Sequence, residues 1–304
     1  MEIPRLITIL GPTASGKTKL ATLLANEVNA EIISADSRQV YKDMTIGTGK
    51  DLQDYCIYDT NIPYHLIDIA EPYEEYNVFR FKQDFMNSAG DILNRGKEII
   101  LCGGTGLYID SVLKDYQFLE VPPNISLREK LEKLSINDLA VLLLSMKKPH
   151  LVSDIENKER LIRAIEIETY SMETDRLADK IHIHNSLVFG ILLPRDIVRS
   201  RISERLKERL EQGMIEEVKS LIDKGITIKR LLSFGLEYKF VTLYLTGKIN
   251  YAQLYSQLET AIHQFSKRQM TWFRRMERIG ISIIWIDGLL DNHQKVQQIL
   301  NNLG

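Results

Sequence analysis

A chain of 304 residues, 44% hydrophobic and 26% charged, has the composition of a folded globular protein, long enough for one large α/β domain or a core with a smaller second domain. No apolar run approaches the roughly 20 residues of a membrane-spanning helix, and Met1-Glu2-Ile3-Pro4 lacks the basic start of a secretory signal, so a cytosolic protein with no membrane partner is expected. A net charge of -2, with Cys56 and Cys102 outside any CxxC spacing, argues against binding nucleic acid by bulk charge, against a disulfide framework and against a thiolate metal site.

Residues 5–10 form a short β-branched run that stops at Gly11 and Pro12, and residues 19–28 then carry apolar side chains at helical spacing. Further buried strands are expected at 31–36, 98–103, 187–193 and 281–286. Near-continuous apolar strands separated by helical stretches predict an α/β fold, a parallel sheet with helices on both faces. Ligands of such sheets sit beyond the carboxyl ends of the strands, where Gly11, Asp36 and Gly103 fall. Between about 121 and 185 helical pattern replaces strand pattern, which predicts a small inserted helical domain (121–185) in a core made of 1–120 and 186–304. Residues 195–233 and 251–278 read as long amphipathic C-terminal helices.

Charge is unevenly spread. Residues 51–76 hold seven acidic side chains and no Lys or Arg, whereas 263–278 holds Lys267, Arg268, Arg274, Arg275 and Arg278 against Glu277 alone. Either a local basic surface or an ordinary solvated helix face accounts for this second run. His182 and His184 alternate on a polar stretch with no third ligand nearby in sequence, and are read as incidental.

Gly11, Pro12, Thr13, Ala14, Ser15, Gly16, Lys17 and Thr18 match GxxxxGK[ST] in full between a strand and a helix. The glycines let backbone N–H groups face inward, the helix start adds positive potential, Lys17 reaches phosphate oxygens, and the Thr18 hydroxyl suits a magnesium ion. A diphosphate or triphosphate is expected here. Asp36, ending the second strand, fits three roles: a metal partner, a general base or a turn cap.

Asp36-Ser37-Arg38-Gln39-Val40-Tyr41, Ile46-Gly47-Thr48, His65-Leu66-Ile67-Asp68, Gly103 to Tyr108, Arg160 to Glu166 and Lys267 to Trp272 follow the loop in the order of a known family. Together they resemble the tRNA dimethylallyltransferases, over about residues 5–275. The resemblance implies a P-loop NTPase-like core and magnesium-dependent attack by the exocyclic amine of an adenine, next to the tRNA anticodon, on dimethylallyl diphosphate. It implies Asp36, Lys17 and Thr105 as catalytic residues. Gly11, Thr13, Ala14, Ser15, Gly16, Lys17, Thr18, Arg201 and Arg205 would hold the donor diphosphate, with the metal on Thr18. Asp36, Ser37, Arg38, Gln39, Arg160, Arg163, Lys267, Arg268, Gln269 and Arg274 would meet tRNA, Gln39 reading the adenine edge. Trp272 is read as a core or hinge aromatic, and a monomer is favoured.

The chain departs from the family pattern at Gly49-Lys50-Asp51 (usually Ala-Lys-Pro), Tyr64, Ile262-His263-Gln264, Arg209 (usually Met) and Leu236. Most of these departures lie on the expected acceptor side. Other uses of the same loop are an adenylate isopentenyltransferase, a P-loop kinase of a small metabolite, and a nucleotide-gated RNA-binding module.

Overall fold

The computed structural model describes residues 1–57, 59–116, 120–146, 157–173 and 180–303. They form two compact units, residues 1–116 with 181–304, and residues 117–180. Elements in the first unit begin with β1 (Glu2–Leu10), α1 (Lys17–Val28) and β2 (Ala30–Ala35), followed by the two-residue strands β3 (Cys56–Ile57), β4 (Thr60–Asn61) and β5 (Tyr64–His65). Next come α2 (Val78–Asn94), β6 (Glu98–Gly103) and α3 (Gly106–Leu113). The second unit supplies α4 (Ile125–Leu131), α5 (Ile136–Ser145) and α6 (Lys158–Glu173). The chain then forms β7 (His182–Leu192), α7 (Arg195–Glu211), α8 (Met214–Asp223), α9 (Ile228–Leu231), α10 (Leu236–Leu245), α11 (Tyr251–Arg278), β8 (Ile284–Asp287) and α12 (Asn292–Leu300).

The main sheet has the order β5-β2-β6-β1-β7-β8 and every pairing in it is parallel. Successive side chains of a strand point to opposite faces, and the two faces have separate cores. Leu6, Leu10, Ile33 and Leu101 pack with Phe81 and Phe85 of α2, Tyr108 of α3, and Phe273 and Met276 of α11. Ile7, Ile9, Ile32, Ile100 and Phe189 pack instead with Leu20 and Leu24 of α1 and Val296 and Ile299 of α12. This is the layered parallel sheet expected from the apolar strands. The edge strand β5 escaped the sequence reading because two residues, one of them exposed Tyr64, carry no period.

The 195–233 stretch is three helices rather than one. Gly213 (φ 101°) and Gly225 (φ 90°) sit in the left-handed region and end helical turns there. Helices α7, α8, α10 and α11 enclose their own core around Ile202, Leu206, Val218, Tyr238 and Leu258, which also takes in Val40, Tyr41 and Met44. Strand β7 starts at His182, inside the stretch expected to be insertion, because four of its first five residues are exposed and polar and its buried run is Val188–Ile191. The chain leaves the first unit after Tyr116 and rejoins it at Ile181, whose N–H donates to Asp115 Oδ1 (3.0 Å).

In the second unit Leu131, Leu139, Leu143, Leu161, Ile162 and Ile165 make a small core. Helix α5 opens on a capping box between Ser135 and Asp138, which sets its start apart from the end of α4. Among the described residues no helix is long and apolar enough to cross a membrane.

Candidate active site

The phosphate loop runs from the end of β1 into α1. Gly16, the residue before α1, has φ 81°, a conformation that suits glycine. A Cβ on Gly11 would stand 2.7 Å from Ser15 Oγ, so the loop packs closely on itself here. No side chain caps α1 and its first turn holds no acid, leaving its N–H groups and the helix dipole for an anion. The Lys17 ammonium lies 3.5 Å from the Pro12 carbonyl oxygen. Burial holds its pKa below the ordinary lysine value; the negative charge of Asp36 opposes this, while Arg205 and Arg209 add to it. Among the described residues no hydrogen bond of the Thr18 hydroxyl is found, and buried Ser15 Oγ has no partner.

Beside the loop, Thr13, Ala14, Ile202, Arg205, Leu206, Arg209, Glu237 and Ile262 line a cleft. Arg205 reaches across it to Asp51 (2.6 Å). Arg209 has the tighter setting: burial, reinforced by the nearby Arg205 charge, pushes its pKa down to about 10. Its guanidinium lies against Gly49, where a Cβ would overlap it, and Gly49 has φ 66°. Glu237 faces these arginines, with its pKa raised by burial against their attraction. Arg201 does not line this cleft; its charge is felt instead by Lys295 on α12.

On the neighbouring strands, Ala35 pairs with Gly103, and Leu10 with Gly103 on its other side. A Cβ on Gly103 would overlap the Ala35 carbonyl, so glycine sets how closely β2 and β6 approach at this end. Thr105 is tied back to β2: its N–H donates to the Ala35 oxygen (3.2 Å), and its Oγ1 accepts the N–H of Ser37 (3.0 Å). Asp36 Oδ1 accepts the N–H of Arg38 (2.9 Å), which leaves Oδ2 for another partner. The loop at 11–16, Asp36 and Thr105 therefore emerge together at the carboxyl ends of three adjacent strands.

Other expected contact residues divide into two groups. Lys267, Arg268 and Arg274 are all exposed on α11, and Arg38 is exposed beside Asp36. Three others are occupied within the chain. Gln39 donates to the Gly49 oxygen (3.0 Å) and accepts from Ser34 Oγ (3.2 Å). Gln269, 8% exposed, accepts the Thr13 N–H (2.8 Å) and donates to the Gly104 oxygen (3.0 Å), tying the phosphate loop to the β6 loop. In the second unit Arg163 donates to Glu166 and to the Val121 oxygen (2.8 Å), whereas Arg160 is exposed on α6. For Gln39, Gln269 and Arg163 the amide or guanidinium thus serves internal bonds, a placement that the linear pattern does not reveal. Trp272 packs on Gly106 in the core, as expected.

Two site residues were missed in the sequence. Glu217 of α8 accepts the N–H groups of Thr45 (2.8 Å), Ile46 (2.7 Å) and Gly47 (3.0 Å), and also the Tyr238 hydroxyl (2.6 Å). One carboxylate thereby fixes the backbone of the Ile46-Gly47-Thr48 segment. The other is Arg209, whose signal was its spacing of four residues beyond Arg205 on one helix.

A family model described as IPP transferase matches residues 39–276, and one described as isopentenyl transferase matches residues 4–61. The chain is 54% identical over 299 residues to tRNA dimethylallyltransferase 1 of Azobacteroides pseudotrichonymphae, covering 98% of this chain and 97% of that one. It is 50% identical over 303 residues to tRNA dimethylallyltransferase 2 of Phocaeicola vulgatus, with 100% and 99% covered. Among solved structures it is similar to the full-length tRNA isopentenylpyrophosphate transferase of Bacillus halodurans, with a TM-score of 0.71 at 31% identity and 98% and 95% of the chains covered.

Proposed function

The chain belongs to the IPP transferase family of tRNA dimethylallyltransferases and transfers a prenyl group to tRNA, and we propose that its phosphate loop holds the donor's diphosphate while Asp36 takes the proton of the attacking adenine amine. The observation that supports this reading is the shared edge at the carboxyl ends of β1, β2 and β6, where an anion cradle and a half-exposed carboxylate meet.

In the reaction the exocyclic nitrogen of the adenine bonds to the first carbon of the dimethylallyl group as that carbon's bond to the diphosphate oxygen breaks. The nitrogen is a weak nucleophile because its lone pair is delocalised into the ring. Asp36 accepts the proton it sheds, a step that contributes about 10²–10⁴-fold when a base is well positioned. Thr105, bonded to the Ser37 N–H, steadies the turn that carries Asp36. Negative charge grows on the departing diphosphate, where Lys17, the α1 N–H groups, Arg205 and Arg209 stabilise it. The Thr18 hydroxyl, which makes no hydrogen bond among the described residues, fits a magnesium ligand at this position. Magnesium bound there supplies further neutralisation of the leaving group.

On the acceptor side, the exposed row Lys267, Arg268 and Arg274 fits the phosphate backbone of tRNA, and the adenine enters out of its stack, as buried base chemistry requires. Dimethylallyl diphosphate as donor, magnesium as metal and a cytosolic setting are parts of this proposal. The test is incubation with labelled dimethylallyl diphosphate, Mg²⁺ and total tRNA, followed by digestion to nucleosides. Label in a modified adenosine with release of diphosphate and no ATP requirement is the expected result. ATP-dependent phosphate transfer would overturn it in favour of a kinase, and labelling of free adenine nucleotides alone would move the acceptor.

A further inference from the structure

We propose that Glu2, His182 and His184 form a binding site for a divalent transition ion of the zinc class, separate from the phosphate loop. The sequence shows only His-x-His, which lacks a third ligand. The parallel register of β1 and β7 supplies it by setting Glu2 opposite His182. One donor atom from each of the three side chains lies within 4.8 Å of the other two, and among the described residues this is the one such group of His, Cys, Asp and Glu. Bonds of roughly 2.0–2.2 Å from imidazole nitrogen and carboxylate oxygen to zinc put tetrahedral donor atoms about 3.3–3.6 Å apart, so the three side chains must draw together slightly to chelate one ion.

The backbone beneath the trio is held on a core. Residues i and i+2 of a strand share a face, so His182 and His184 both point outward while Ile183 packs inward; on β1, Ile3 is fully buried next to Glu2. The His182 N–H donates to the Met1 oxygen (2.8 Å), which continues the ladder through this end. His184 Nε2 already lies 2.8 Å from Glu2 Oε2, and the two imidazole rings stand edge to face with centroids 4.7 Å apart. His184 and Glu2 side chains are 57% and 67% exposed, so small rotations bring the donors onto one ion without moving backbone. As an exposed ion pair the group adds little to stability. As a chelate it offers two neutral imidazoles and one carboxylate, leaving one position for water.

That donor set also separates this site from the reaction's metal. Magnesium prefers six oxygen ligands in octahedral array, whereas two imidazoles with a carboxylate favour zinc, cobalt or nickel. The test uses the untagged full chain in excess Mg²⁺. Zn²⁺ is titrated by calorimetry and Co²⁺ by its visible absorption, on wild type and on Glu2→Gln, His182→Asn and His184→Asn. One saturable site is expected in wild type. Each histidine variant should bind at least about tenfold more weakly, since even outer-shell changes at metal sites cost about 10–100-fold. Zinc should raise the melting temperature of wild type and not of the variants, because it binds the folded chain through these residues. Zinc bound with equal affinity by all four proteins, or no saturable binding in wild type, would overturn the inference.

Discussion

The amide of Gln269 accepts the N–H of Thr13 across 256 residues of sequence, and its other end donates to the oxygen of Gly104. One side chain of α11 thus clamps the phosphate loop to the loop that carries Thr105. Gln269→Ala should leave the Thr13 N–H and the Gly104 oxygen without partners, costing about 1–3 kcal/mol for each group that water cannot reach. The expected result is a lower melting temperature together with a higher donor KM. A lowered melting temperature at unchanged KM would confine Gln269 to stability.

Arg209→Gln should weaken donor binding more than it slows turnover. Hydrogen bonds between charged groups contribute about 1.5–3 kcal/mol, so the donor KM should rise roughly tenfold to hundredfold. Gly49→Ala should act in the same direction, since the added methyl would occupy the place of the Arg209 guanidinium and strain a backbone at φ 66°. Titration with Mg²⁺ and inorganic diphosphate measures both. Unchanged affinity in Arg209→Gln alongside a loss in Lys17→Ala would remove Arg209 from the diphosphate site while keeping the loop.

Asp36→Asn keeps the shape of the turn but cannot take a proton. Turnover should fall by about 10²–10⁴-fold, with diphosphate affinity nearly unchanged. Single-turnover transfer to tRNA separates the two quantities. Wild-type rate in this variant would exclude Asp36 as the base.

Replacing Lys267, Arg268 and Arg274 by alanine should weaken tRNA binding evenly across tRNA sequences. The salt slope should fall by roughly one for each phosphate that the variant no longer neutralises, with donor affinity untouched. Binding at several salt concentrations is the measurement. Equal slopes would make this side of α11 a solvated face.

The second unit carries its own pH dependence. Glu166 is 2% exposed. Burial alone would raise its pKa, but bonds from Arg128 (2.8 Å), the Asn124 N–H (2.5 Å) and Arg163 prevail and bring it down to about 2. A carboxyl whose folded pKa is depressed stabilises above its unfolded value, near 4.5, and that contribution is lost as pH falls toward 2. Chemical denaturation followed on α4–α6 should show this loss in wild type and a flatter profile in Glu166→Gln.

The phosphate loop, Asp36 and the layered sheet were legible because each rests on local spacing: a glycine pattern, a strand end, a run of apolar residues. Glu217 was not, nor were the internal bonds of Gln39 and Gln269, two residues the sequence offered only as tRNA contacts, because their partners are brought near only by the fold. Glu217 lies about 170 residues from the segment it holds, and nothing in either stretch signals the other. Arg209 was visible as a departure from a pattern, but its proximity to Gly49 appears only when α7 is laid beside the 45–51 loop.

The clasp between Asp115 and Ile181 gives the enzyme a socket. Asp115 and Ile181, the first-unit residues that flank the 117–180 stretch, are held together by this hydrogen bond. Whatever segment is plugged between them has to satisfy only chain closure, whose cost grows slowly with length. A segment of another length can therefore be closed at this point at small cost, because the register of the phosphate loop and Asp36 is set by the pairing of β1, β2 and β6.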